Sequence, residues 1–248
     1  MLDGSLPVNG ASTTAPLRNV ALCLAALERV MERESHLPGM AAFYGPSGFG
    51  KSVSAAYAAN SHRAYYVEAK ASWTRRFFLL SVLREMGIEP AKTIPEMVEQ
   101  ISEQLVLSRR PLIIDEMDHV VDRRMVDLVR DIYDGSASPI LLIGEEQLPA
   151  KLKRWERFDG RILEWAPAQP LDLGDARHLR RLYVRRVEIA DDLLQHLVEL
   201  AHGSARRLCV NLDRIEKEAQ AMGADRIDRA AWGDRPLYTG EAPKRRLS

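Results

Sequence analysis

The sequence predicts an α/β fold: a five-stranded parallel sheet flanked by helices, followed by a small C-terminal helical lid domain. Three observations carry this reading. Short apolar runs alternate with segments of helical periodicity from residue 17 to residue 166. The alternation stops near Pro170, beyond which only helical patterns follow. The first apolar run leads directly into a glycine-rich turn, GPSGFGKS at 45–52, which opens a helix.

The elements follow in order. Residues 1–16, rich in Gly, Ser, Thr and Pro, read as a flexible N-terminal arm. From Leu17 a helix begins, with Val20, Leu24, Leu27 and Met31 at helical spacing, and HLPG at 36–39 stops it. MAAFYG (40–45) reads as a buried strand, VSAAYAAN (53–60) as helix and AYYVEA (64–69) as a second strand. WTRRFFLLSVLREMG (73–87) is a helix closed by Gly87, with Trp73 and Phe77 spaced for its core face, and a further helix covers about 95–108. PLIIDE (111–116) is a third strand, and Val121, Met125, Leu128 and Ile132 mark the next helix. PILLIG (139–144) and RILEWA (161–166) complete the sheet. Strands alternating with helices pair in parallel. Residues 174–187, 190–202 and 204–222 read as three lid helices with no strand between them, the last striped by Leu208, Leu212, Ile215 and Ala219. The divisions are thus an arm at 1–16, an α/β core at 17–170, a lid at 171–232 and a basic tail at 233–248.

Composition narrows the function. The chain has 248 residues, 46% hydrophobic, with 35 basic and 35 acidic side chains. Zero net charge excludes a protein that merely coats nucleic acid, so any such footprint is local or built by assembling copies. Cys23 and Cys209 lie in apolar helical patterns without a second ligand-type residue at metal spacing, as expected of buried thiols in a reducing compartment. MLDGSLPVNGASTTAP lacks the pattern of a signal peptide, and no long apolar run is present, so the expected location is the cytoplasm of a bacterial host cell, without membrane contact.

GPSGFGKS matches G-x-x-x-x-G-K-[ST] in full, after a strand and before a helix. Gly45, Gly48 and Gly50 let the backbone of Gly45, Pro46, Ser47, Gly48, Phe49 and Gly50 turn its N–H groups inward, where they and the helix N-terminus cradle phosphates. Lys51 supplies charge to the β- and γ-phosphates and Ser52 a ligand for Mg²⁺. LIIDE delivers Asp115 to the carboxyl end of the third strand, where it binds ATP-bound Mg²⁺, and Glu116 beside it, as base or orienter of the attacking water. The competing reading makes the two acids helix caps. GEEQ (144–147) places Glu145 either as the residue that positions the water or as a solvated loop carboxylate. GSARR (203–207) offers Arg206, which either reaches back to the γ-phosphate or faces solvent. An N-K-x-D sequence, which would read guanine, is missing.

GPSGFGKS, LIIDE, GRILEW before a helical lid, and GSAR together resemble AAA+ ATPases of the initiator-like branch. Within it the chain resembles the transposition ATPases, namely the B protein of Mu-type phages and related transposon target selectors, through DEMDH (115–119) and the run 143–172. It is also similar to secretion-type ATPases with the same core. It departs from the family in carrying Glu145 where Asn is common. The resemblance implies a head-to-tail homo-oligomer, ring or filament, with ATP at each junction. Such an assembly binds duplex DNA without strong sequence preference and recruits a transposase. It implies that Arg161, immediately before the last strand, is the arginine supplied in trans, with Arg157 in reserve one turn earlier. Lys151, Lys153 and Arg154 are interface or solvent charges.

In ATPases of this shape the segment KASWTRR faces a central channel, so Lys70, Arg75 and Arg76 are candidate DNA contacts that would stack into a basic spiral on assembly. Lys244–Arg246 in the tail and Arg177, Arg180, Arg181, Arg185 and Arg186 in the lid are further candidates. Two other functions compete: a secretion or regulatory ATPase acting on a protein partner without DNA, and a small-substrate kinase. The acidic pair after an apolar strand and the arginine-bearing lid favour hydrolysis in an assembly over the kinase.

Overall fold

The computed structural model describes residues 17–241. The expected arm at 1–16 and the basic residues Lys244–Arg246 lie outside the described residues. The chain runs through α1 (Arg18–Met31), β1 (Met40–Tyr44), α2 (Lys51–His62), β2 (Tyr65–Glu68), α3 (Arg75–Glu85), α4 (Ile94–Ser108), β3 (Leu112–Asp115), α5 (Met117–Asp122) and α6 (Val126–Ser136). It continues through β4 (Ile140–Gly144), α7 (Leu148–Leu152), α8 (Glu156–Asp159), β5 (Ile162–Pro167), α9 (Leu173–Tyr183), β6 (Glu188–Ile189), α10 (Asp191–Ala201), α11 (Ala205–Ala221), β7 (Arg226–Ile227) and α12 (Arg229–Trp232).

The five long strands form one parallel sheet in the order β2-β3-β4-β1-β5. Both faces of the central strands β1, β3 and β4 are covered, so these read as nearly continuous apolar runs, yet the pleat still sorts alternate residues. Ala41 and Phe43 of β1, with Ile113, Leu141 and Ile143, face Cys23, Leu27 and the Ala55–Ala58 surface of α2. Small alanines on α2 let α1 approach closely. Met40 and Ala42, with Leu112, Ile114 and Leu142, face Phe78, Leu79, Ile101 and Ile132 on the other side. Each fully buried Leu, Ile or Phe contributes about 1.5–3 kcal/mol relative to exposure, which makes these two layers the main source of stability. Thr74 and Thr93 start α3 and α4, each hydroxyl accepting a backbone N–H.

The lid has its own core, in which Leu193, Leu194 and Leu197 of α10 meet Leu208, Leu212 and Ile215 of α11 under Trp232. Asp172 begins α9 with a capping box closed by Asp175.

Several expectations need correction. The helix expected through Val121, Met125, Leu128 and Ile132 is two. Arg124 adopts φ 54°, its N–H bonds Val121 O, and Met125 N–H bonds Val120 O, which closes α5 in a Schellman turn. The lid contains strands, since β6 and β7 pair in parallel over two residues each. Phe77 is 40% exposed, tilted against Trp73, while Trp73 alone packs on the core. Within α1 the stripe is Val20, Cys23, Leu27 and Val30, with Leu24 and Met31 half-buried. Cys23 is buried as expected, which pushes its thiol up to about 12, but Cys209 is only half-buried.

Candidate nucleotide-binding site

The loop after β1 is shaped by two left-handed residues, Gly48 (φ 85°) and Gly50 (φ 82°), and Gly50 is the N-cap of the 12-residue α2. Gly45 serves a different purpose from the one its place in the motif suggests. It is absent from the left-handed glycines, and a Cβ on it would lie 2.9 Å from the Ala168 Cβ. Lys51 folds back, its Nζ donating to Gly45 O (2.7 Å) and Pro46 O (2.9 Å). Burial lowers its pKa, against the pull of Glu116, Asp115, Glu145 and Asp118. The ammonium is therefore parked on carbonyls that a phosphate would outcompete.

β3 carries Asp115 to the carboxyl edge of the sheet, 2% exposed. Its carboxylate accepts from the Tyr66 hydroxyl (2.7 Å) and from the Glu116 backbone N–H (2.7 Å). Burial, then the bond to Asp115, pushes the Tyr66 hydroxyl far above its ordinary range, so it remains a donor. Glu116 adopts φ 53°, which turns it out of the strand direction. Burial and the neighbouring Asp115 raise its pKa.

These groups meet in a cavity of about 250 Å³. Ser47, Gly48, Gly50, Lys51 and Ser52 line one side, Asp115, Glu116 and Glu145 the floor, and Arg206 of α11 the lid side. Leu17, Val53, Leu179, Tyr183 and Cys209 add an apolar wall suited to a flat ring. Gly45, Pro46 and Phe49 shape the loop from behind without lining the cavity. The lid is docked directly on the loop, where Arg206 N–H donates to Gly48 O (3.3 Å), and within the lid Leu171 N–H donates to Gly203 O (3.2 Å).

Sequence reasoning missed Asn19. Its Nδ2 donates to Phe49 O and to Gln169 O, both at 2.9 Å, and its Oδ1 accepts from Gln169 N–H at 2.8 Å. It thereby fastens α1, the phosphate loop and the core–lid linker. As one polar residue in an amphipathic helix it carries no sequence signal. Tyr66 and Asp118 were missed too, the first as one more strand aromatic, the second as a helical acid.

Among the described residues no group of three or more His, Cys, Asp or Glu is placed to hold a metal ion by itself. A hydroxyl at Ser52 and a buried carboxylate at Asp115, both at the phosphate cradle, suit a cation that draws its other ligands from phosphate and water.

The remaining candidates lie elsewhere. The Arg161 guanidinium grips Asp134 in a bidentate pair (2.6 Å to each oxygen) and donates to Arg157 O. Arg157 is exposed and its side chain has no polar partner among the described residues. Lys70, Arg75 and Arg76 are exposed on and before the first turn of α3. Arg75 donates to Arg124 O (3.1 Å) and Arg76 to Lys92 O. In the lid, Arg177 and Arg180 share the single carboxylate of Asp191 (2.6 and 2.9 Å), which offsets one of their two charges.

Comparison with known proteins agrees with this geometry. Residues 33–152 match a family model described as an AAA domain. That segment holds the phosphate loop, Asp115, Glu116 and Glu145 and stops short of Arg157, Arg161 and the lid. No curated protein matches the sequence. Among solved structures, the Aeropyrum pernix ORC2 protein in its ADPNP–ADP complexes superposes with a TM-score of 0.65 at 17% identity, covering 89% of this chain and 68% of that one. The Aeropyrum pernix ORC1 protein in complex with DNA gives 0.62 at 19%, covering 90% and 66%. The Thermotoga maritima RuvB Holliday junction branch migration motor gives 0.59 at 18%, covering 88% and 67%. The chain thus spans about two thirds of the length of these proteins and shares their α/β-plus-lid architecture, with an AAA-type segment at its centre.

Proposed function

We propose that the protein is an Mg²⁺-dependent ATPase that assembles head to tail and binds duplex DNA in its ATP state. The observation that carries this is the convergence of Lys51, Ser52, Asp115, Glu116 and Arg206 on one cavity beneath the lid. On binding ATP, Lys51 leaves Gly45 O and Pro46 O for the β- and γ-phosphates, and the N–H groups of the loop close on their oxygens. Ser52 and Asp115 would hold the cation, which would neutralise phosphate charge. Glu116, with its raised pKa, takes the proton of the attacking water. Arg206 approaches the γ-phosphate from the same chain. The trans arginine is better assigned to Arg157 than to Arg161, because Arg161 is spent on Asp134 while Arg157 is free to reach a neighbour.

Lys70, Arg75 and Arg76 supply phosphate contacts that position DNA without reading its bases. The complex of the ORC1 protein with DNA and the action of RuvB on Holliday junctions support this reading by analogy of fold. Target selection and recruitment of a transposase rest on the sequence motifs alone. Hydrolysis measured with and without Mg²⁺ and duplex DNA tests the proposal. Expected are dependence on the cation and stimulation by DNA. Hydrolysis indifferent to DNA would favour an ATPase with a protein partner instead.

A further inference from the structure

Asp118 is 3% exposed, on α5 and outside the cavity lining. Its Oδ2 accepts the Glu145 backbone N–H at 2.6 Å. Its Oδ1 lies 3.0 Å from Lys151 Nζ on α7, an ion pair outside hydrogen-bond geometry, and this buried oxygen has no hydrogen-bond partner. Lys151 also donates to Asp122 Oδ2 at 3.1 Å. Room for the carboxylate depends on Gly144, where a Cβ would come within 2.7 Å of Asp118 Oδ2. A buried charge held by so few partners is a costly way to pack a helix against a strand.

Its two partners give it another use. Glu145 forms part of the cavity floor. Lys151 belongs to a short segment, the five residues of α7 and the four of α8, that carries Arg157. Asp118 therefore joins the floor of the chain's own nucleotide site to the segment bearing Arg157. We propose that the Asp118–Lys151 pair couples sites along the assembly, so that nucleotide bound in one subunit sets the position of the Arg157 it offers to the next. This rests on the reading of Arg157 as the trans arginine. A shift of the Glu145 backbone on phosphate binding moves Asp118 through a short charge-assisted bond, and Lys151 follows the carboxylate. Coupling of this kind is a free energy shared between sites, so it shows as cooperativity rather than as a change in single-site affinity.

The experiment is steady-state hydrolysis by the full chain, with duplex DNA, as a function of ATP concentration. Asp118→Asn and Lys151→Met are compared with the unmodified protein, and ATP affinity is measured separately by calorimetry. Asp118→Asn keeps an acceptor for the Glu145 N–H. Lys151→Met keeps the apolar stem and is the safeguard should Asp118→Asn fail to fold. The expected result is a Hill coefficient above 1 for the unmodified protein, falling to 1 in both variants, with ATP affinity within about twofold. Unchanged cooperativity in a folded Lys151→Met protein overturns the proposal, as does a Hill coefficient of 1 in the unmodified protein. Arg157→Ala separates the two levels. If it is inactive while Lys151→Met stays cooperative, only the coupling fails. If it hydrolyses normally, the trans arginine fails and the coupling falls with it.

Discussion

Gly48 and Gly50 share a left-handed backbone but have different neighbours, which gives a test of how the lid is held. Alanine at either position pays the cost of a left-handed L-residue, about 1–2 kcal/mol. Around Gly50 nothing lies within 4 Å of a new Cβ, so the cost ends there. At Gly48 the Cβ would overlap the Ser204 hydroxyl and lie 3.7 Å from the Arg206 Cβ. Ser204 is 7% exposed and caps the 17-residue α11 by accepting the Arg207 N–H. Displacing it forfeits a cap worth about 1 kcal/mol and pulls Arg206 N–H from Gly48 O. Gly48→Ala should therefore cost about 2–4 kcal/mol and Gly50→Ala about 1–2. At about 2–4 °C per kcal/mol for a chain of this size, the Tm gap is several degrees. Thermal denaturation without nucleotide measures it, and Ser204→Gly in the Gly48→Ala background should narrow the gap by removing the overlap. Equal Tm losses at the two positions, or no rescue, would refute the claim that Gly48 is the contact on which the lid rests.

Other outcomes follow from the same geometry. Arg157→Ala should leave Tm unchanged and reduce hydrolysis by the assembled protein about a thousandfold, as loss of a trans arginine does. Arg161→Ala should cost about 1 kcal/mol in thermal stability, since its bidentate pair with Asp134 is partly exposed (28% and 43%), and reduce hydrolysis far less. The Arg75→Ala/Arg76→Ala double variant should bind ATP normally and show a shallower dependence of DNA affinity on salt, and an unchanged slope would remove these residues from the DNA surface. Glu116 has a raised pKa in the folded protein, so the native state holds that proton more tightly than the unfolded chain. The contribution is present below the unfolded pKa and is lost as pH rises through the folded value. Glu116→Gln should accordingly raise the Tm of nucleotide-free protein at pH 7 more than at pH 4 while abolishing hydrolysis.

The sheet was legible because the three central runs, β1, β3 and β4, are buried on both faces, while the edge strands β2 and β5, partly exposed, still carry short apolar runs. The phosphate loop was legible because its glycines, Lys51 and Ser52 have fixed spacing. What escaped has physical reasons. The α5–α6 break depends on Arg124 in a left-handed conformation, without the glycine that ordinarily announces a Schellman turn. β6 and β7, at two residues each, are too short to show alternation. Arg161 and Arg157 are indistinguishable as letters, and only the position of Asp134 on α6, 27 residues away in the chain, separates a bracketed arginine from a free one. Asn19 matters through backbone carbonyls of Phe49 and Gln169, which no side-chain motif encodes.

In the proposed function, a nucleotide site built from Lys51, Asp115, Glu116 and the lid controls a DNA-binding assembly. Retention of duplex DNA on a filter, compared with ATP and with ADP and repeated with Lys51→Ala, tests it most directly. Expected are retention with ATP, loss with ADP, and no retention by Lys51→Ala with either nucleotide. Equal retention with ATP and ADP, or none with either, would contradict it.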